Sequence, residues 1–137
     1  MTNAALAEAT GLTPTPTLQR LRKLEQLGVI QRFTAVVDPK LAGRPVLAFV
    51  HVTLKSHHMP VHTRVLEIVT KLDAVLECHH IAGDEDFLLK VAMREIGDLE
   101  KLLFEIGASG DVARLRTTFV LSSSKTAGPL PIDEEEP

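Results

Sequence analysis

The stretch "AVLECHHIAGDEDFLLKVAM", Ala74 to Met93, decides the architecture. Its first half alternates, setting Leu76, Cys78 and His80 on one face of an extended chain. Its second half, "DFLLKVAM" (86–93), is another strand-like run. Between them stand Gly83, Asp84 and Glu85, residue types that suit a tight polar turn. Working outward, "PVHTRVLEIVTKL" (60–72) carries apolar residues at 61, 65, 68, 69 and 72, a helical stripe. On the other side "IGDLEKLLFEIG" (96–107) repeats that spacing with Leu99, Leu102, Leu103 and Ile106. Outermost are two strand-like runs, "VLAFVHVTL" (46–54) and "VARLRTTFVL" (112–121). The order β-α-β-β-α-β predicts a ferredoxin-like split βαβ domain: a four-stranded antiparallel sheet with two helices on one face. The other face is left for something to cover, often a second copy.

Ahead of this domain the pattern changes. "TNAALAEATGLT" reads as a short helix capped by Thr2 or Asn3 and ended at Thr10-Gly11. "LTPTPTLQRLRKLEQLGVI" (12–30) reads as a second helix, with Thr13 as N-cap, prolines in its first turn and Gly28 as its stop. Helix, glycine turn, helix is the mark of a helix-turn-helix. At 100° per residue, Leu18, Leu21, Leu24 and Leu27 share one broad face, while Thr15, Gln19, Arg22, Lys23 and Gln26 project from the other. Gln pairs with adenine, Arg with guanine, Thr with a base edge or thymine methyl, and Lys and Arg with phosphates. The same pattern also suits an amphipathic helix with a merely solvated charged face. Val29 to Val37 reads as a short strand pair or an extended linker, and Asp38-Pro39 and Gly43-Arg44-Pro45 as turns.

Charge supports a division of labour. The net charge is −3. Residues 1–32 nevertheless carry a net +2, the tail Asp133–Glu136 carries −4, and the stretch between them carries −1. A small basic head on a near-neutral body is what a nucleic-acid module joined to another domain shows. At 137 residues the chain is long enough to bury a core without staples. Its single cysteine, Cys78, excludes an internal disulfide framework and fits a reducing, cytoplasmic setting. No run approaches the roughly 20 apolar residues of a membrane span. The opening residues lack the basic-then-apolar pattern of a secretory leader. "SSSKTAGPLPIDEEEP" is too rich in Ser, Pro and acid to build a core; it reads as an arm able to dock through Leu130 and Ile132, with an acidic end expected to be disordered.

Catalytic and metal chemistry find little support. The six histidines lack the paired spacing of a closed zinc site and read as scattered surface or interface residues, so no metal is expected. Cys78 and His79 point to opposite faces of a strand, and Cys78 and His80 lie roughly 6–7 Å apart along it. A small apolar residue in the sheet is the plainer role. "GDEDF" (83–87) is a polar hairpin turn or a small-ligand loop, in which backbone N–H groups hold a carboxylate and an Asp holds an ammonium. No calcium loop, phosphate-binding glycine motif or nucleophile elbow is present.

Three stretches, "GLTPTPTLQRLRKLEQLGVIQRFTAVVDP" (11–39), "ECHHIAGDEDFLLKV" (77–91) and "RLRTTFVL" (114–121), with the "KTAGPLP" ending, resemble the leucine-responsive regulator / asparagine regulator (Lrp/AsnC, feast/famine) family of transcription factors. The resemblance covers nearly the whole chain. It implies an α+β protein: a partial helix-turn-helix at 1–37, a linker at 38–45, a ferredoxin-like βαββαβ effector and oligomerisation domain at 46–122, and an arm at 123–137. It implies Thr15, Thr17, Gln19, Arg20, Arg22 and Lys23 on double-stranded DNA, and Gly83, Asp84, Asp86, Thr117 and Thr118 around a small effector, an amino acid or a relative of one. Asp86 would take the ammonium and the turn's N–H groups the carboxylate. It also implies self-association into dimers through the sheets and into octamers of four dimers, with no cofactor and no enzymatic activity.

Two departures from the family pattern are expected to matter. Members ordinarily carry about twenty further residues ahead of "NAALAEATG", so the head is expected to lack a first helix and to leave Leu6 and parts of Leu18 and Leu21 uncovered. The spacing from "DLEKLLFEIG" to the last strand is also about one helical turn short, which predicts a rebuilt loop at 107–111. The alternative function is a ligand-sensing or hetero-oligomerising member whose head does not bind DNA alone.

Overall fold

The computed structural model describes residues 2–126, 128, 130 and 131. Ile132 and the acidic end, to which docking and disorder were ascribed, lie outside the described residues. The chain forms two compact units that divide between Val36 and Val37.

The first unit holds α1 (Asn3–Ala9) and α2 (Pro14–Gln26). The Thr2 hydroxyl accepts from Ala5 N at 3.2 Å and caps α1. At its other end Gly11 adopts φ 66°. Leu12 N then donates to Ala7 O and Gly11 N to Glu8 O, the paired bonds of a Schellman turn. The turn satisfies carbonyls that a helix end leaves orphaned and delivers the chain directly to Thr13. Thr13 sits in extended N-cap geometry, but its side chain makes no capping bond. Its carbonyl instead accepts from the Thr17 amide at 3.2 Å and the Thr17 hydroxyl at 2.9 Å. Gly28, at φ 73°, ends α2. Leu6, Leu18 and Leu21 are each half-buried, whereas Leu24 and Leu27 are exposed. Residues 31–38 are irregular, which resolves the choice between strand pair and extended linker in favour of the linker.

The second unit holds β1 (Val46–Leu54), α3 (Met59–Val69), β2 (Val75–His80), β3 (Phe87–Met93), α4 (Asp98–Gly107) and β4 (Val112–Phe119). The strands form one antiparallel sheet in the order β2-β3-β1-β4, as the split βαβ order requires. Along β1 burial falls on Ala48, Val50, Val52 and Leu54, the period-two pattern of a sheet with one covered face. These residues pack with Phe87, Leu89 and Val91 of β3, with Val61, Val65 and Val69 of α3, and with Leu102 and Ile106 of α4. Each large side chain so buried contributes about 1.5–3 kcal/mol, which is what fixes register and helix placement.

One strand departs from simple alternation. A bulge between Val75 and Glu77 shifts the register of β2. Val75 therefore joins Cys78 at the core edge, while Leu76 is 51 % exposed rather than sharing their face. The α4–β4 connection is tight, with Gly110 at φ 74°. Asp111 there accepts both arms of the Arg64 fork, at 2.7 and 3.0 Å. That contact ties the connection to α3 and holds the Asp111 carboxyl below its ordinary range.

Candidate functional site

The second helix of the head, α2, exposes Thr15, Gln19, Arg22 and Lys23 on one face and Arg20 beside Leu24 and Leu27 on another. Among the described residues none of the three cations takes part in a salt bridge, so their charge is available to an external anion. Thr17 is different. It is 5 % exposed, with its hydroxyl committed to the Thr13 carbonyl, and so cannot face DNA. The 100° arithmetic that sets Gln19 outward also sets Thr17 between Leu21 and Leu24; the signal was available, and the run of threonines obscured it.

The hairpin turn separates its carboxylates by environment. Gly83 and Asp84 are exposed at the tip, and no atom lies within 4 Å of where a Gly83 Cβ would stand. Glu85, absent from the expected site, pairs with Arg116 Nη2. That guanidinium also lies 3.2 Å from His51 Nδ1, where the imidazole nitrogen accepts. The Arg116 hydrogen bond is the main cause of a Glu85 carboxyl held below its ordinary value. His51 and Arg116 are register partners on the sheet face away from the helices. Glu85 therefore anchors the turn to that open face.

Asp86 turns inward. It is 7 % exposed, and both carboxylate oxygens are engaged. Oδ2 accepts from Leu54 N at 2.8 Å, and Oδ1 lies 2.8 Å from His57 Nδ1. An ammonium arriving at Oδ1 would compete with the His57 imidazole for that oxygen. Thr117 and Thr118 do not act as a pair either. Thr117 is the register partner of Val50 and faces the helices; Thr118 partners Phe49 and faces the open side. The Thr117 hydroxyl is buried without a partner among the described residues. Asp86 and Thr117 flank β1 on opposite sides, two strand spacings apart across the sheet and about three residues apart along it, roughly 14 Å in all. Within one protomer, then, the expected effector residues are not brought together. None of them lines the cleft beside Lys71, Asp73 and Arg94 or the cleft beside Asp38, Leu47 and Ser122.

Three of the six histidines, His57, His62 and His80, draw together. Donor atoms of His57, His62 and Asp86 all lie within 4.8 Å of one another. The His62 ring meets His80 edge-on at 4.9 Å and Phe87 at 5.3 Å. His79 lies 3.2 Å from a Glu77 oxygen. Burial pushes the Cys78 thiol upward, away from the thiolate that nucleophilic chemistry needs. No helix among the described residues is long and apolar enough to cross a membrane.

Comparison with known proteins bears on both units. Residues 47–130 match the model of the Lrp/AsnC ligand binding domain, and residues 1–31 match a winged helix-turn-helix DNA-binding model. The leucine-responsive regulatory protein of Escherichia coli K12 is 38 % identical over 105 residues, 77 % of this chain and 64 % of that protein. The chain thus spans a little under two thirds of the curated relatives it matches. An AsnC family transcriptional regulator from Agrobacterium tumefaciens superposes with a TM-score of 0.86 at 30 % identity, covering 96 % of this chain and 86 % of that one. A transcriptional regulator from Neisseria meningitidis, solved as an L-Met complex, gives 0.87 at 26 % identity over 96 % and 85 % of the two chains. The split βαβ sheet, the helix-turn-helix ahead of it and these likenesses agree, and the chain belongs to the Lrp/AsnC family.

Proposed function

We propose that this protein is a sequence-specific DNA-binding transcriptional regulator whose assembly responds to an amino acid or a related small molecule. The observation that carries the reading is the exposed α2 surface: Thr15, Gln19, Arg22 and Lys23 together on one face of the second helix of a helix-turn-helix, with Arg20 exposed on its flank and the three cations outside any described ion pair. Thr15 and Gln19 stand at the N-terminal part of that helix, the part that reaches base edges in such motifs. Arg20, Arg22 and Lys23 supply the phosphate contacts that fix its orientation.

One head reads one half-site, so two-fold pairing is needed for specificity. The open face of the sheet, bearing Phe49, His51 and Thr118, is the surface for that pairing, and four such dimers would make the octamer. Since Asp86 and Thr117 do not converge within a protomer, the effector site belongs between protomers, with Gly83 and Asp84 on one rim and Thr118 on another. The L-Met complex of the Neisseria relative supports an amino acid as the ligand class. The half-buried single thiol suits work in a reducing cytoplasm.

A duplex selected by the protein from a random-sequence pool provides the test. Affinity should fall steeply with salt, by about 0.9 log units per log unit of salt for each phosphate contacted. Binding that is indifferent to salt, or no duplex enriched at all, would contradict the reading.

A further inference from the structure

We propose that His57, His62 and Asp86 form a binding site for a divalent transition-metal ion of the zinc class. The three residues come from separate pieces of chain. His57 lies in the β1–α3 connection, His62 in the first turns of α3, and Asp86 immediately before β3. The fold brings their donor atoms within 4.8 Å of one another. Zinc bonds nitrogen and oxygen at about 2.0–2.2 Å, so tetrahedral ligands stand about 3.3 Å apart. His57 Nδ1 and Asp86 Oδ1 are now 2.8 Å apart, sharing a hydrogen bond. A small opening of that pair, with the exposed His57 side chain turning toward His62, gives the ligand spacing.

Three features separate this cluster from a chance meeting of surface side chains. Asp86 is 7 % exposed, yet among the described residues no Lys or Arg is bonded to it; its side-chain neighbour is a histidine. A buried carboxylate calls for a cation, and a metal ion supplies one. Its second oxygen accepts from Leu54 N at 2.8 Å, which orients the carboxylate as outer-sphere hydrogen bonds orient metal ligands. The His62 ring is held by edge contacts with His80 and Phe87 and is therefore positioned before any ion arrives. Two imidazoles and one carboxylate form a nitrogen and oxygen donor set suited to zinc, cobalt or nickel rather than calcium. Three protein ligands leave a fourth position open to water or a small ligand. Because Asp86 closes the Gly83–Asp86 turn, a bound ion would also fix that turn against α3.

Titrating the full chain with Co²⁺ as the spectroscopic probe tests this, with Zn²⁺ used in competition. The expected result is one Co²⁺ per chain with the intense visible bands of a tetrahedral site, displaced by stoichiometric Zn²⁺. His57→Ala and His62→Ala should each weaken binding at least tenfold, while His58→Ala, the adjacent histidine, should leave it unchanged. His57 has a side chain 77 % exposed, so its replacement preserves the fold, and circular dichroism checks this. Absence of a stoichiometric site, or equal loss in the His58→Ala variant, would overturn the proposal.

Discussion

Replacing Arg20, Arg22 and Lys23 together by alanine is expected to weaken duplex binding on the order of 10- to 1000-fold at moderate salt. The three side chains lie on the exposed part of α2 and are spent on no described ion pair, so their removal takes nothing from the fold. Each lost phosphate contact should also flatten the salt dependence by about 0.9, so the variant's line of log affinity against log salt should be visibly shallower. Gln19→Ala should behave differently. It removes a base-reading amide, so discrimination between selected and scrambled duplexes should fall more than the salt slope does. Fluorescence anisotropy at several salt concentrations measures both. If the triple variant kept the wild-type slope, α2 would not be the DNA-contacting helix.

The second large effect is expected at Asp86. Asp86→Ala deprives the buried Leu54 N–H of its acceptor and His57 of its partner. An unsatisfied buried amide costs about 1–3 kcal/mol, and the space left behind adds to it. Asp86→Asn keeps an oxygen able to accept from Leu54 N and should cost less. Asp84→Ala, two residues away at the exposed tip, should stay within about 0.5 kcal/mol of the parent. Urea unfolding of the three variants orders them. Equal losses at 84 and 86 would contradict the division of the turn into an exposed rim and a buried anchor.

The contrast between those two aspartates shows where sequence patterns stop. The sheet was legible because "VLAFVHVTL" and "DFLLKVAM" are short β-rich apolar runs bounded by turn residues. The helices α3 and α4 were legible from stripes such as Leu99, Leu102, Leu103 and Ile106. Local geometry was legible where one residue governs it, as with Gly11 and Gly28 at the helix ends. The β2 bulge was not, since an extra residue changes no local preference and yet moves Leu76 out of the face it was assigned. Nor were the partners of the turn. Glu85 meets Arg116 across 31 residues, and Asp86 meets Leu54 across 32, so both contacts depend on register between distant strands. The same holds for His57, His62 and Asp86, whose spacing along the chain gives no metal-ligand motif. Thr117 and Thr118 were adjacent in sequence and looked like a pair; the pleat divides them between the two faces of the sheet.

The most direct test joins the two units in one experiment: native mass measurement of the full chain with its selected duplex, with and without a panel of amino acids that includes L-methionine. The expected result is assemblies built from whole dimers, with duplex bound to them, and at least one amino acid that shifts both assembly size and duplex occupancy. Linkage demands both: an effector that changes the DNA affinity must have its own affinity changed by DNA in the same proportion. A single mass, unaltered by every amino acid and carrying no duplex, would contradict an effector-responsive DNA-binding regulator.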